Sequence, residues 1–194
     1  MKKYMKALQF AIEKHWDQKR TNGDPYIMHP IRVAELLREA GLEIEHLSVI
    51  AALLHDVIED CGVGYGQIRH EFGTEVADIV AALTDDNRLS REDRWADMAE
   101  RIGNADWKVQ IVKLADRFDN ITDEVPWNDK RHRRYLEATT KLLDAVSPHV
   151  PWDEVGELLI DDLTTPGKPS LSIIATKLRS EVDAQWQKMN KKRR

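Results

Sequence analysis

The stretch LLHDVIED ends an apolar run with one histidine and three carboxylates. His55 and Asp56 are adjacent, and Glu59 and Asp60 follow four residues later, so the two pairs share nearly one helical face. A histidine nitrogen and a carboxylate oxygen form a ligand pair that suits Mn, Fe or Zn. Because buried carboxylates are destabilising unless they are paired or bound to a metal, the pattern predicts that one pair holds a metal while the other handles protons. Two plainer interpretations are a chance His-Asp dipeptide and a solvated helix end.

The segment VKLADRFDNITD carries a second polar stripe. Asp116 lies on an otherwise apolar helical face, and Asn120 and Asp123 follow at spacings of four and three residues, so the three line one side of a helix. This spacing predicts a metal ligand at Asp116 and a hydrogen-bonding group for a substrate at Asn120. The alternative is that Asp116 forms internal salt bridges with Lys113 and Arg117.

A third set of polar groups lies in RTNGDPYIMHP, which places Arg20, a turn and His29 before the start of a helix. The dipole at a helix N-terminus disfavours imidazolium, so we expect His29 to have a lowered affinity for protons. A neutral imidazole is the form that binds a metal. The alternative is a histidine that caps the helix and binds no metal.

The elements that must position these groups are helical. Apolar residues recur at helical spacing through nearly the whole chain and predict an all-α fold. The run from Leu47 to Asp60 has charges only at its end, which predicts a central helix packed on several sides. Gly41 and Gly62 are expected to end helices. The predicted helices cover residues 4–16, 30–37, 47–60, about 67–72, 74–83, a charged stretch from 91, 109–123, about 130–146 and 171–189.

Composition excludes several classes of protein. The length of 194 residues suits one domain with a sizeable core. A net charge of −5 argues against broad nucleic-acid binding, although a polyanionic small molecule needs only a local cluster of cations. No apolar run is long enough to span a bilayer and the N-terminus lacks a signal-peptide pattern, so we expect a cytoplasmic protein with no membrane partner. The single cysteine, Cys61, excludes an intramolecular disulfide and a cysteine-based zinc site.

The order His29, His55-Asp56, Asp116 resembles the HD-domain metal-dependent phosphohydrolases. Four longer phrases, QKRTNGDPYIMHPIRVAELL, AALLHDVIEDCGVGYGQI, FGTEVADIVAALTDD and IVKLADRFDNITD, resemble the hydrolase domain of the RelA/SpoT alarmone enzymes. Because no synthetase or regulatory domain follows, the chain resembles a stand-alone small alarmone hydrolase of the metazoan SpoT-homologue type. The similarity covers about residues 5–146.

This resemblance implies an all-α, HD-domain helical bundle, with the HD hydrolase domain at residues 1–146. It does not cover residues 147–194, where we expect a helical extension of unknown role that is packed on or appended to the same domain. It implies one Mn²⁺ ion, although two histidines and two aspartates do not by themselves exclude Zn²⁺ or Fe²⁺. The implied ligands are His29, His55, Asp56 and Asp116.

The implied reaction removes the 3′-pyrophosphate of ppGpp or pppGpp, giving GDP or GTP and pyrophosphate. In the family, the residues that match Glu59 and Asp60 assist the attacking water. The implied substrate-binding residues are Arg20, Asn120, Arg131 and Tyr135.

Two alternatives remain at this stage. One is an HD phosphohydrolase of another nucleotide, such as ppApp or the 2′-phosphate of NADPH, because the metal residues do not distinguish these substrates. The other is a non-catalytic HD module that binds an alarmone. The second is disfavoured because all four ligands, Glu59 and Asp60 are present. The oligomeric state does not follow from the sequence.

Overall fold

The predicted all-α architecture is confirmed in a computed structural model, which describes residues 1–86, 88–123, 127–146 and 168–191. No strand occurs in these ranges; an isolated antiparallel bridge joins Lys19 and Pro25. The helices of the described residues are α1 (Lys2–Lys14), α2 (Met28–Glu39), α3 (Leu47–Leu54), α4 (Val57–Cys61), α5 (Tyr65–Phe72), α6 (Thr74–Leu83), α7 (Arg91–Gly103), α8 (Trp107–Thr122), α9 (Asp129–Val146) and α10 (Lys168–Lys191).

The central helix α3 is buried on all sides. Every residue from Ser48 to Leu54 is buried, and helices α1, α2, α6 and α8 pack around it. A helix with no polar face is stable only in such surroundings, because any solvated side would expose apolar surface to water. The prediction of a central helix packed on several sides is therefore confirmed.

The prediction that this helix continues to Asp60 is wrong. Helix α3 ends at Leu54, α4 begins at Val57, and His55 and Asp56 lie in the turn between them. The His55 ring explains the break: its Nδ1 atom lies 2.8 Å from the carbonyl oxygen of Ala52. In a continuous helix that oxygen would accept the N–H of Asp56. The helix resumes as α4, which is capped by Gly62. The φ of 66° at Gly62 confirms that this glycine ends the helix, as predicted.

Helix α1 also differs from its prediction. It ends at Lys14 and the chain leaves the helical path at His15, whose φ and ψ are −97° and 17°. Trp16, the last residue of the predicted helix, is 82% exposed because it lies beyond that end. The second helix starts at Met28, earlier than predicted. It tolerates Pro30 in its first turn, because backbone N–H groups in the first turn have no partner within the helix and proline, which lacks an N–H, loses no hydrogen bond there.

Helix α10 confirms and extends the predicted C-terminal helix. It packs against α8, α9 and α2, and it buries Leu171, Ile174, Leu178 and Val182. The sequence also predicts a short helix in PHVPWDEVGELLIDDL and a linker in TTPGKPS. The short helix and the first four residues of the linker lie outside the described residues, whereas its last three residues belong to α10. The division at residue 146 stays a prediction. No helix in the described ranges combines the length and apolar character needed to cross a membrane.

Candidate metal and substrate site

Three buried side chains from distant parts of the chain converge. One ligand atom from each of His29, His55 and Asp116 lies within 4.8 Å of the others. The Nε2 atoms of His29 and His55 lie 3.2 Å and 3.8 Å from Asp116 Oδ1. His29 comes from the first turn of α2, His55 from the turn after α3, and Asp116 from the middle of α8.

Asp56 completes the predicted set of four. Its Oδ2 atom lies 3.1 Å from His55 Nε2 and 3.8 Å from His29 Nε2. Neighbours on a regular helix diverge by about 100°, so the interruption between α3 and α4 is what lets residues 55 and 56 face one point. The structure thus brings together all four residues for which the sequence implied metal binding.

The hydrogen bonds of the two imidazoles leave one nitrogen of each ring for a cation. His55 Nδ1 donates to Ala52, while His55 Nε2 is buried and has no hydrogen-bond partner, because Asp56 approaches it outside hydrogen-bonding geometry. His29 Nδ1 lies 2.6 Å from Asp119 Oδ2, which directs its Nε2 toward the other ligands. Metal-bound histidines in proteins usually donate their second N–H in this way. The residues present therefore fit a divalent cation.

Sequence analysis missed Asp119, which supports His29 from behind. Its Oδ1 accepts a 2.6 Å hydrogen bond from Arg32 Nε, and its Oδ2 faces the His29 ring. Burial raises the pKa of Asp119, but the hydrogen bonds from His29 and Arg32 lower it more. The available signal was its position three residues after Asp116, which places both on neighbouring parts of one helical face.

The carboxylates control the protonation of the cluster. Burial lowers the pKa of His29, but the carboxylates of Asp116 and Asp119 raise it by more, so the net pKa lies above its usual value. The expectation of a lowered proton affinity from the helix dipole is therefore wrong: two carboxylates outweigh the helix terminus. The pKa of His55 is also raised well above its usual range, against burial, by Asp56 and Asp116. Protons and a cation compete for the same groups.

The two oxygens of Asp116 have different partners. Oδ1 faces His29 and accepts a 2.6 Å hydrogen bond from Asn120, whereas Oδ2 pairs with Lys113 Nζ at 3.0 Å. Burial raises the pKa of Asp116, but Lys113 and the imidazoles hold it well below its usual range. Of the two salt bridges considered for Asp116, the one with Lys113 exists and leaves Oδ1 for a cation; Arg117 instead lies over the ring of Tyr135.

Glu59 and Asp60 lie on α4, one helical turn beyond the ligands. Burial raises the pKa of both carboxyls, and the charge of Asp56 raises each further. Asp85, on the segment after α6, adds to the effect at Glu59 and donates its backbone N–H to Glu59 Oε2 at 3.4 Å. The two groups are thus carboxyls that hold a proton more readily than an exposed acid does.

A pocket of about 200 Å³ adjoins the cluster. Its lining residues are Lys19, Arg20, Thr21, Tyr26, Asn120, Trp127 and Arg131. Two of them reach the metal-binding candidates directly: the Tyr26 hydroxyl donates to Asp56 at 2.6 Å, and Asn120 donates to Asp116. Arg20 Nη2 donates to Asn120 Oδ1 and pairs with Asp123 Oδ2, both at 2.8 Å. The pocket therefore presents cations to an anionic ligand next to the cluster.

Of the predicted substrate-binding residues, Arg20, Asn120 and Arg131 line this pocket, whereas Tyr135 does not. Tyr135 packs behind Trp127, with ring centroids 4.6 Å apart. Sequence analysis did not identify Trp127 as a residue of the pocket, because its spacing from the other candidate residues does not indicate that position. The role of Tyr135 in substrate binding stays a prediction.

Comparisons with known proteins agree with this geometry. Residues 7–143 match the HD domain. The chain is 35% identical over 147 residues to the zebrafish (Danio rerio) protein "Guanosine-3′,5′-bis(diphosphate) 3′-pyrophosphohydrolase MESH1", which covers 72% of this chain and 81% of that protein. A protein of the same enzyme name from Aquifex aeolicus is 35% identical over 140 residues, or 71% of this chain, but the match spans only 20% of that relative.

A solved structure extends the similarity toward the C-terminus. It is described as "A metazoan ortholog of SpoT hydrolyzes ppGpp and plays a role in starvation responses" and superposes with a TM-score of 0.73 at 27% sequence identity. The superposition covers 92% of this chain and 94% of the other.

Proposed function

The chain belongs to the HD domain family, and we propose that it is a metal-dependent (p)ppGpp 3′-pyrophosphohydrolase. The observation that carries the proposal is the buried cluster in which His55 Nε2 has no hydrogen-bond partner, next to a pocket lined by three cationic side chains. The enzyme names of the relatives specify the alarmone as the substrate.

The proposed ligands are His29, His55, Asp56 and Asp116, and the proposed ion is Mn²⁺. A bound divalent ion lowers the pKa of a water and offsets charge on a phosphate. The ligand set contains two imidazoles and two carboxylates and no thiolate, which suits Mn²⁺ and also permits Zn²⁺ or Fe²⁺. Asp119 and Ala52 hold the two rings so that both Nε2 atoms face inward.

We assign proton transfer to Glu59 and Asp60. A carboxylate whose pKa is raised toward neutral is a better base for water than an exposed one, and burial raises the pKa of both groups. Water adds to the phosphorus attached to the 3′-oxygen and passes one proton to the carboxylate. The bond from phosphorus to the 3′-oxygen breaks, and that oxygen leaves with the nucleotide and takes a proton from the carboxyl to become a hydroxyl. The products are GDP or GTP and pyrophosphate.

The pocket supplies the positive charge for the substrate. Lys19, Arg20 and Arg131 line it and can pair with phosphate oxygens. Arg20 is already oriented by Asn120 and Asp123, so its guanidinium loses little freedom when an anion binds.

Turnover by the full chain tests this proposal. After chelation, we expect no hydrolysis of ppGpp, and re-addition of Mn²⁺ should restore it more than Zn²⁺ or Fe²⁺ does. The same assay with ppApp and NADPH distinguishes the alternative substrates. Glu59→Gln should retain Mn²⁺ and slow hydrolysis, because it removes the base but no ligand. Tight ppGpp binding without turnover under any cation would replace the hydrolase with a non-catalytic binding module.

A further inference from the structure

Tyr26 lines the pocket and also contacts the metal-binding cluster, although neither the sequence motifs nor the proposed ligand set assigns it a role. Its hydroxyl donates a 2.6 Å hydrogen bond to Asp56 Oδ2, the oxygen that faces both imidazoles. A hydroxyl has one proton to donate, and Asp56 receives it. A carboxylate oxygen has two lone pairs, so Asp56 Oδ2 can accept the phenol while it faces a cation.

Two neighbours contact the ring of Tyr26. It stacks on His15 with ring centroids 4.9 Å apart and an interplanar angle of 27°, and the Arg20 guanidinium lies 5.9 Å from its centroid. His15 is only 1% exposed, and its Nδ1 atom lies 2.8 Å from Gln18 Oε1. A side chain packed in this way has little freedom to move, so its hydroxyl stays at the Asp56 carboxylate.

We propose that Tyr26 is a positioning residue for the hydrolase: its hydroxyl holds the Asp56 carboxylate toward the imidazoles. The inference rests on the proposed function, because the orientation of Asp56 matters for turnover only if the site hydrolyses. The hydroxyl touches the Asp56 carboxylate and not the reacting atoms, so its removal should affect the rate constant and metal binding more than substrate binding.

The experiment compares Tyr26→Phe with Tyr65→Phe in the full chain. Tyr65 is a matched control, because its hydroxyl donates a 2.7 Å hydrogen bond to Asp78, another aspartate, at an exposed position on α5. Loss of a hydrogen bond to a metal-binding carboxylate typically weakens metal affinity by about 10- to 100-fold. We expect the Kd for Mn²⁺, measured by titration, to rise by about 10-fold in Tyr26→Phe, with kcat for ppGpp lower by a similar factor and KM changed less than about 3-fold. Tyr65→Phe should match the wild type.

Two double-mutant cycles distinguish positioning from general packing: Asp60→Asn is the reference for a residue that does not receive the hydroxyl proton of Tyr26, and Asp56→Asn is the test variant. If Tyr26 acts through Asp56, its effect on the Mn²⁺ Kd should be strongly non-additive with that of Asp56→Asn; additive effects would assign it a structural role only. A higher KM at unchanged kcat would overturn the proposal by making Tyr26 a substrate contact, and an unchanged Mn²⁺ Kd in folded Tyr26→Phe would overturn it without any assay of turnover. If wild-type protein binds Mn²⁺ but hydrolyses no ppGpp, the proposed function fails, while the Mn²⁺ titration still tests the contact with Asp56.

Discussion

Helix α8 and the α3–α4 turn supply the cluster in opposite ways. Helix α8 is unbroken, and its polar residues lie along one stripe that ends at the C-cap residue Asp123. Asp116 reaches the centre, Asn120 bonds to Asp116, Asp119 faces His29, and Asp123 pairs with Arg20. The α3–α4 turn is an interruption, and it directs two adjacent residues to one point. A continuous helix therefore provides one central group and several supporting ones, whereas a broken helix provides two central groups.

The largest expected effect comes from removing one central group from each region. We expect His55→Ala and Asp116→Ala each to lower ppGpp turnover by more than about 100-fold, the upper range for supporting residues, with loss of Mn²⁺ measured by titration. Asp116→Asn is the companion variant that keeps the shape of the buried side chain, and thermal unfolding checks that each variant folds. Full Mn²⁺ content in folded Asp116→Asn and Asp116→Ala would remove α8 from the proposed ligand set.

A smaller effect is expected at the supporting position of α8. Asp119→Asn removes the negative charge that faces His29 Nδ1, so we expect Mn²⁺ affinity to fall by about 10- to 100-fold. Asp78→Asn on α6 is the matched control, because Asp78 accepts only an exposed hydrogen bond from Tyr65. If both variants bind Mn²⁺ like the wild type, Asp119 does not support metal binding, and Asp116 alone among these two residues of the stripe does.

The pocket end of the same stripe should affect the substrate and not the metal. Asp123→Asn weakens an ion pair with Arg20 whose side chains are 9% and 11% exposed. We expect KM for ppGpp to rise by about 3- to 10-fold at nearly constant Mn²⁺ affinity, since Arg20 loses part of its orientation. Glu39→Gln breaks the exposed pair with Lys177 and should change neither quantity. A lower Mn²⁺ affinity in Asp123→Asn would mean that the two ends of the stripe are not separable.

The smallest effect concerns the N-caps of the two regions. His46 caps α3 by accepting the N–H of Ser48, and Asp106 caps α8. Burial and the charge of Lys108 lower the pKa of His46. The unfolded chain therefore binds a proton more readily, so this stabilisation is complete above the unfolded pKa of about 6.5 and is lost as the pH falls from there through the folded pKa.

We expect this loss to stay near the value of one helix cap, about 1 kcal/mol. Urea unfolding of the wild type and His46→Asn between pH 5 and pH 8 measures it, because asparagine caps a helix without titrating and the other ionisable groups cancel in the difference. Parallel pH profiles for the two proteins would contradict the assignment.

The same contrast explains what could be predicted from the sequence. Spacings of three and four residues on α8 indicated Asp116 and Asn120 correctly as neighbours, because an unbroken helix converts spacing directly into position. The break after Leu54 could not be predicted, since apolar periodicity continues through LSVIAALLHDVIED and the interruption depends on where the His55 ring bonds. Asp119 and Trp127 were missed because their roles depend on packing between distant segments.

The separation between His29 and Asp119 is 90 positions along the chain. Bringing two such distant residues together costs conformational entropy, which an unfolded chain does not offset with other contacts, so the unfolded chain holds no such arrangement. A cation that binds this arrangement binds the native state alone, and free cation at about 100 times its Kd would add about 2.7 kcal/mol to the free energy of unfolding. The melting temperature should therefore rise with cation concentration, so that the stability of the protein depends on how much free cation is present.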